Sequence, residues 1–181
     1  VMGIDTTLGR AFLKSQLAAG NALPAGGGVF LSVRNEDKPA VLPLARRLAE
    51  RGFAIYATPG TGTALWEQGI RSQALFRISR GRPNVLDMMA EQKVNWIVNT
   101  SSGGAQPAID EVRMRAQAVT RGIPITTTLD ALDASLTALE SLPEDRHMEV
   151  CSLQEYHRHA PRLRWRETRP APARGGGRRR P

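Results

Sequence analysis

Short apolar segments alternate with amphipathic helical segments through most of this 181-residue chain, and this alternation strongly constrains its fold. Each apolar segment is bounded by Gly, Pro or polar residues, as in strands buried on both faces. A helix between consecutive strands favours a parallel sheet, because parallel strands need a crossover connection. The sequence therefore predicts an α/β protein, with a three-layer α/β/α domain around a five-stranded parallel sheet. The predicted strands cover residues 29–33, 53–57, 74–78, 94–98 and 124–127.

The helical segments have recognisable boundaries. The first is predicted over Thr7–Ala19, with Asp5 or Thr6 as N-cap. The second is predicted over Pro39–Arg51, because proline suits the first helical position and Gly52 follows the last turn. Shorter or later helices are predicted from Ala64, over 84–91, from Pro107 to Gly122 and over 129–142. Asp110 and Glu111 are expected in the first turn of the helix from Pro107, where acidic side chains favour the helix dipole.

The net charge of +8 belongs to the end of the chain. From Arg158 onward there are nine arginines and one acid, Glu167, whereas residues 1–157 carry sixteen basic and sixteen acidic side chains. The charge therefore indicates little about what the body binds, and a nucleic-acid partner is not expected for it. Residues 160–181 are rich in Arg, Pro and Gly and poor in apolar residues, so we predict a disordered tail there.

Cysteine usage and hydropathy point to the cytoplasm. Cys151 is the only cysteine, so an intramolecular disulfide cannot form, which suits a reducing compartment. No apolar run approaches the ~20 residues of a membrane span, and no signal peptide is visible. The chain begins with Val1, which suggests a piece of a longer protein.

Two turns rich in Gly, Ser and Thr follow predicted strands. The first, Ala57–Thr63, holds Thr58, Gly60 and Thr61, and the second, Asn99–Gly104, holds Asn99, Thr100 and Ser101. Backbone N–H groups, hydroxyls and a helix N-terminus together suit a phosphate. Since ligands of open parallel sheets bind beyond the carboxyl ends of the strands, both turns are expected to build one anion site.

Lys38, before the second helix, and Arg77, at the end of the third predicted strand, are the candidate cations of this site. Taken singly, each is more typical of a solvated surface residue. Placed beside the two turns, each is a plausible anion ligand. Asn99 has the donor and the acceptor needed to read a sugar or a base edge, or equally to tie its turn to its neighbours.

The groups that catalysis needs are missing from these motifs. His147, His157 and His159 all lie in the C-terminal stretch, outside the strand–helix core. No metal-ligand spacing occurs, and the two turns contain no carboxylate that would serve as general acid or base. The sequence therefore predicts no catalytic residue and no metal, and favours binding over catalysis.

Several short motifs, in order and at matching spacing, resemble a known family over Val1 to about His159. They are Val1–Asp5, Leu31–Arg34 with Asp37-Lys38, Ala57-Thr58 with Gly60-Thr61, Gly81–Pro83, Ile97–Thr100 and Thr127–Leu129. The chain resembles the C-terminal allosteric domain of the large subunit of carbamoyl-phosphate synthase, which has the methylglyoxal synthase-like fold. On this resemblance residues 1–20 are a connecting helix from a preceding ATP-grasp domain, 21–159 the allosteric domain and 160–181 a tail without family counterpart.

The resemblance implies a nucleotide monophosphate effector, UMP or IMP, and no catalysis or cofactor in this domain. Matched residue by residue, Lys38, Thr58 and Thr61 contact the effector phosphate, and Arg77, Asn99, Thr100 and Ser101 complete the pocket. The parent enzyme uses ATP with Mg²⁺ or Mn²⁺ to make carbamoyl phosphate for arginine and pyrimidine synthesis. Its partners are the remaining large-subunit domains and a glutaminase small subunit, and a homo-oligomer is possible.

Two positions depart from the enterobacterial pattern of that family. Arg77 stands where the family has a lysine, so a point donor becomes a planar fork. Ile125 stands where a family tyrosine helps to hold ornithine, while the neighbouring contact Thr127 is retained. Ornithine activation through position 125 is therefore in doubt.

Two other functions are weighed against an allosteric domain. A methylglyoxal synthase-like lyase needs a carboxylate base and histidines beside its phosphate loop, but the matching base position falls near Arg82 and the body has no histidine. A nucleic-acid-binding module would depend on the tail, where Trp165 is the only interleaved aromatic residue. Both are less favoured than effector binding.

Overall fold

The computed structural model describes residues 1–101, 105–142 and 152–159. Val1–His147 forms one compact unit and Met148–Pro181 a second, in which the described residues form helix α7, Leu153–His159. Cys151 and the predicted tail from residue 160 lie outside the described residues. Within the described ranges, no helix is both long enough and apolar enough to cross a lipid bilayer.

A five-stranded sheet forms the centre of the first unit. All its pairings are parallel, and its strand order is β3-β2-β1-β4-β5. The predicted parallel sheet is therefore confirmed. Its strands are β1 Gly28–Ser32, β2 Ala54–Ala57, β3 Gln73–Ala74, β4 Trp96–Asn99 and β5 Ile125–Thr126.

Helices cover both faces of this sheet, because successive residues of a strand point to opposite sides. Val29 and Leu31 pack into one apolar cluster with α2, α3 and α6, whereas Phe30 packs into a second with α4 and α5. The three-layer prediction is confirmed. The helices are α1 Leu8–Ala18, α2 Lys38–Glu50, α3 Pro59–Trp66, α4 Val85–Ala90, α5 Ala105–Thr120 and α6 Leu129–Glu140, with a 3₁₀ turn over Asn35–Asp37.

The predicted third strand is much shorter than expected. Only Gln73 and Ala74 pair with β2, and the last bond of this ladder runs from the Leu75 N–H to the Ala57 carbonyl. Beyond Ala57 the chain turns into α3, so residues 75–78 have no strand to pair with. Arg77 therefore lies in a loop, not at the end of a strand.

Two helices begin earlier than the sequence indicates. Helix α3 begins at Pro59, since Thr58 is extended and proline is pre-set for the first helical position. The Gly/Thr segment is thus the first turns of the helix and not a loop before it. Helix α5 begins at Ala105, so Asp110 and Glu111 lie beyond its first turn.

The N-terminal helix packs against α6. Its N-cap is Thr7, whose side chain accepts from the Arg10 N–H, and neither Asp5 nor Thr6. Gly9 allows the close approach, because a Cβ there would lie 2.3 Å from the Ser141 hydroxyl and 2.8 Å from the Thr137 carbonyl oxygen. This region, predicted as a connector, therefore has a tight contact with the sheet-covering layer.

Candidate functional site

The strand order places a crevice at the carboxyl ends of β1 and β4. The chain leaves β1 towards β2 on one side, whereas β4 pairs with β1 on the other, so the connections diverge at this point. Such switch points are where ligands bind in open parallel sheets. Ser32 is in register with Asn99, and the Thr100 N–H donates to the Ser32 carbonyl at 3.0 Å.

A cavity of about 320 Å³ opens at this crevice, within the size range of small-molecule sites. Its wall combines apolar and polar side chains from five parts of the fold. The apolar lining is Phe30, Val33, Phe76, Ile78, Val85 and Met114; the polar lining is Ser32, Arg34, Asn35, Glu36, Thr58, Arg77, Ser79, Arg80, Asn99, Thr100, Asp110 and Glu111.

Thr58 and Thr61 connect the start of α3 to the end of β1. The Thr58 hydroxyl lies 3.1 Å from the Thr61 hydroxyl, and the Thr61 oxygen accepts from the Val33 N–H at 3.3 Å. Thr61 is 1% exposed, so its hydroxyl is part of the interior. Thr58 lines the cavity, while Thr61 lies behind it and fixes the strand end.

Lys38 reaches the same helix start. A Cβ at Gly60 would lie 3.2 Å from the Lys38 ammonium nitrogen, so the absent side chain leaves room for this cation. Gly60 is the second residue of α3 and carries one of the N–H groups that a helix start leaves without an intrahelical acceptor. An ammonium, a free N–H and the Thr58 hydroxyl are thus brought together at a helix N-terminus, a suitable arrangement for a phosphate.

Asn99 ends β4 inside the cavity wall. It is 3% exposed, and its Nδ2 has no hydrogen-bond partner among the described residues. A buried amide donor left unpaired costs about 1–3 kcal/mol, so it is a candidate for pairing with a ligand acceptor. Thr100 accepts from the Arg34 N–H at 3.0 Å, and Ser101 follows as an exposed residue that does not line the cavity.

Two carboxylates form ion pairs with Arg34, just beyond the carboxyl end of β1. Its Nε lies 2.8 Å from Asp37 Oδ2 and 3.9 Å from Glu36 Oε2. Hydrogen bonds from Arg34 and Thr100 lower the pKa of the Asp37 carboxyl, so it remains ionised in the physiological range. By contrast, no ion pair joins Arg77 or Arg80 to another residue of the described ranges, and both guanidinium groups are available to an anion.

The part of the cavity wall that Ser79 and helix α5 contribute was not predicted from the sequence. Ser79 donates to Asp110 Oδ2 from its N–H at 3.2 Å and from its hydroxyl at 2.8 Å, and Glu111 lines the wall beside them. The two turns contain no carboxylate, as the sequence analysis stated, but the cavity wall beyond them contains Asp110, Glu111 and Glu36. Asp110 lies one helical turn before the buried Met114, so both residues are on the face of α5 that lines the cavity.

The predicted site residues thus fall into three groups. Thr58, Arg77, Asn99 and Thr100 line the cavity. Lys38, Gly60 and Thr61 lie at the start of α3, next to Thr58 or next to one another. Ser101 and Thr127 form the third group, which does not line the cavity. Thr127, predicted on the ornithine side, is exposed between β5 and α6 and does not line it. Within the described ranges, no three His, Cys, Asp or Glu side chains are grouped to hold a metal ion.

Comparison with known proteins identifies the domain. Residues 40–127 match the MGS-like domain family. The chain carries an MGS-like domain. It is 42% identical over 86% of its length to the carbamoyl phosphate synthase large chain of Myxococcus xanthus, covering 14% of that protein. It is 40% identical over 87% of its length to the large chain's C-terminal section from Aquifex aeolicus, covering 30% of it.

The predicted resemblance is therefore confirmed. The chain spans less than a third of the length of both of these relatives, so it matches one part of a larger protein. The crystal structure of ForH overlays on 68% of this chain and 87% of its own, with 18% identity and a TM-score of 0.44, which is too low to bear on the MGS-like domain's function.

Proposed function

We propose that this MGS-like domain binds a nucleoside monophosphate, UMP or IMP, and regulates a carbamoyl phosphate synthase to which it belongs. The observation that carries the proposal is the junction of an anion-binding helix start with a mixed cavity at the switch point of the sheet. Lys38, Gly60 and Thr58 suit the phosphate. The apolar wall and the unpaired Asn99 amide suit a nucleoside.

The phosphate end also fits Arg77, a cavity-lining guanidinium without an ion-pair partner in the described ranges. A guanidinium binds phosphate through two parallel N–H donors, which adds geometry to charge. Thr100 follows Asn99 on the polar wall of the cavity, and the exposed Ser101 would add a hydroxyl from outside that wall. Thr61 supports this end indirectly, because its buried hydroxyl fixes Thr58 against the end of β1.

The rest of the proposed assembly follows from the relatives, which are carbamoyl phosphate synthase large chains. The partners would be the ATP-grasp domains of the same subunit and a glutaminase small subunit, in the cytoplasm, for arginine and pyrimidine synthesis. ATP and Mg²⁺ or Mn²⁺ would bind in those other domains, with no cofactor here. Thr127, on the exposed β5–α6 connection, would face the neighbouring domain and any ornithine bound there. Self-association is compatible with this assembly.

The competing function is a lyase that acts on a triose phosphate, because the cavity wall contains Asp110, Glu111 and Glu36 as possible bases. No histidine lines the cavity in the described part of the chain, and Arg82, at the family's base position, is paired with Asp87 at 3.3 Å. Proton transfer next to a phosphate would then depend on carboxylates alone. Effector binding needs no such group and is favoured.

Calorimetric titration of the 181-residue chain with UMP, IMP and dihydroxyacetone phosphate tests the proposal. We expect saturable binding of at least one nucleotide, and a loss of about tenfold, or ~1.4 kcal/mol, in Lys38→Ala and in Thr58→Ala. Lys93→Ala is the matched control, because that lysine pairs with Glu91 on the surface. Formation of methylglyoxal from dihydroxyacetone phosphate, or unchanged affinity in both variants, would contradict the proposal.

A further inference from the structure

The part of the cavity wall that α5 contributes contains a carboxylate oxygen, Asp110 Oδ1, with no hydrogen-bond partner among the described residues. Asp110 Oδ2 accepts both the N–H and the hydroxyl of Ser79, whereas Oδ1 is buried and has no donor among the described residues. Carboxylate oxygens normally accept hydrogen bonds from protein or from water, so a buried one without any is unusual. The Ser79 pair also fixes the orientation of the carboxylate, because one oxygen is held from two sides.

We infer that Asp110 is a specificity-determining residue of this cavity, which accepts an N–H or O–H donor from the nucleoside part of the bound nucleotide. This inference rests on the proposed nucleotide site. Two unpaired groups on the wall of one cavity support it, since Asn99 Nδ2 is a buried donor and Asp110 Oδ1 a buried acceptor. A ligand that carries both an acceptor and a donor satisfies both, and a nucleoside does.

The cavity wall contains both cations and carboxylates. Lys38 lies at the start of α3, and Arg77 lines the wall without a carboxylate partner in the described ranges. Asp110 and Glu111 supply negative charge from α5. An inorganic anion gains nothing from a carboxylate and is repelled by it, whereas a nucleotide can place its phosphate near the cations and its donors near Asp110. A carboxylate acceptor therefore favours nucleotides over bare phosphate.

The substitution Asp110→Asn separates this role from a structural one. The amide oxygen can keep both bonds from Ser79, while an NH₂ donor takes the position of the unpaired acceptor. We expect the affinity for UMP or IMP, measured by calorimetry on the 181-residue chain, to fall at least tenfold. The affinity for inorganic phosphate should stay within twofold or rise, because a negative charge has been removed, and this retained binding also reports a folded site.

Asp130→Asn is the matched control, because it makes the same side-chain change at an exposed position of α6 that does not line the cavity. We expect it to leave nucleotide affinity within twofold. Ribose 5-phosphate then distinguishes the two donor sources. If Asp110→Asn weakens it as much as UMP, the donor is a sugar hydroxyl; if its affinity is unchanged, the donor is a base N–H. Both results support the inference.

The inference is overturned if Asp110→Asn binds the nucleotide as tightly as the wild type, or if Asp130→Asn loses as much affinity as Asp110→Asn. In either case the proposed effector site stands, because the wild type still binds nucleotide. If the wild type binds neither UMP nor IMP, the proposed function fails and the role of Asp110 fails with it. A variant that loses inorganic phosphate as well as nucleotide also counts against a nucleoside-specific role.

Discussion

At the scale of single residues, the glycine at position 60 favours the proposed anion site but lowers the stability of α3. It lies inside α3 with ordinary helical geometry, where alanine would stabilise the helix by roughly 0.5–1 kcal/mol. A Cβ there would meet the Lys38 ammonium at 3.2 Å and displace it from the helix start. We predict that Gly60→Ala raises the free energy of unfolding, measured with urea, and weakens nucleotide binding about tenfold, as for a lost bond to a charged group.

Gly62→Ala is the control for that prediction. In the same helix, a Cβ at Gly62 would meet only the Ala57 and Ala74 methyl groups and the Ser72 hydroxyl, all at 3.8 Å, which is ordinary contact. This variant should gain stability and keep its affinity. If both glycine variants bind nucleotide equally, Lys38 does not act through the space at Gly60.

Thr61 gives a second prediction at this scale, and here the effect is on stability. Its hydroxyl accepts from the Val33 N–H at 3.3 Å inside the protein, so Thr61→Val leaves a buried donor unpaired. We expect the free energy of unfolding to fall by about 1–3 kcal/mol. Thr63→Val is the control, because the Thr63 hydroxyl donates to the Pro59 carbonyl on the exposed side of the helix. Equal stability of the two variants would contradict a structural role for Thr61.

At the scale of elements, one arginine connects α2 to α6. Arg47 contacts Asp133 and Glu140 through its guanidinium, the latter with Nη2–Oε2 at 2.8 Å. The hydrogen bond from Arg47 lowers the pKa of Glu140 below its ordinary value. This stabilisation is therefore present above the unfolded pKa of about 4.3 and is lost as the pH falls through the lower pKa of the folded state.

We predict that Arg47→Met lowers the free energy of unfolding by about 1 kcal/mol at pH 7, because the network is partly exposed to solvent. The difference from wild type should shrink as the pH falls through the lowered pKa of the Glu140 carboxyl. Arg46→Met is the control, since the Arg46 guanidinium bonds only to the Gln68 carbonyl among the described groups. Urea unfolding at several pH values measures both, and a pH-independent difference for Arg47→Met would refute the ion-pair explanation.

At the scale of the whole molecule, the proposed effector would act on a neighbouring domain by binding one conformation of the enzyme more tightly than another. Placed in a complete carbamoyl phosphate synthase large chain, the MGS-like domain should shift the ATP dependence of carbamoyl phosphate synthesis when UMP or IMP is added. Asn99→Asp should raise the effector concentration needed for half of this shift at least tenfold, because the amide donor is replaced by a charged acceptor. Gly62→Ala should respond as the wild type, and an equal response of Asn99→Asp would remove Asn99 from the site.

The sequence alone determined the class of fold and the local chemistry of the helix start. Alternating apolar segments and amphipathic helices are local patterns, and they predicted the parallel sheet and both covering layers. Thr58, Gly60 and Thr61 were predicted to bind phosphate because the glycine and the hydroxyl side chains that such a site needs lie within a few residues of one another.

Tertiary structure decided which of these pieces meet. Local periodicity does not encode strand order, and it is the pairing of β1 with β4 that brings Asn99 and Thr100 beside Arg34. The third strand ended early because β2 ran out of residues to pair with, which no property of residues 75–78 indicates. Asp110 lines the cavity because α5 packs on the sheet through Met114, which lies one turn further along the same helix face. Contacts between residues distant in sequence depend on packing. For that reason the contact between Ser79 and Asp110 in the cavity wall could not be predicted from the sequence.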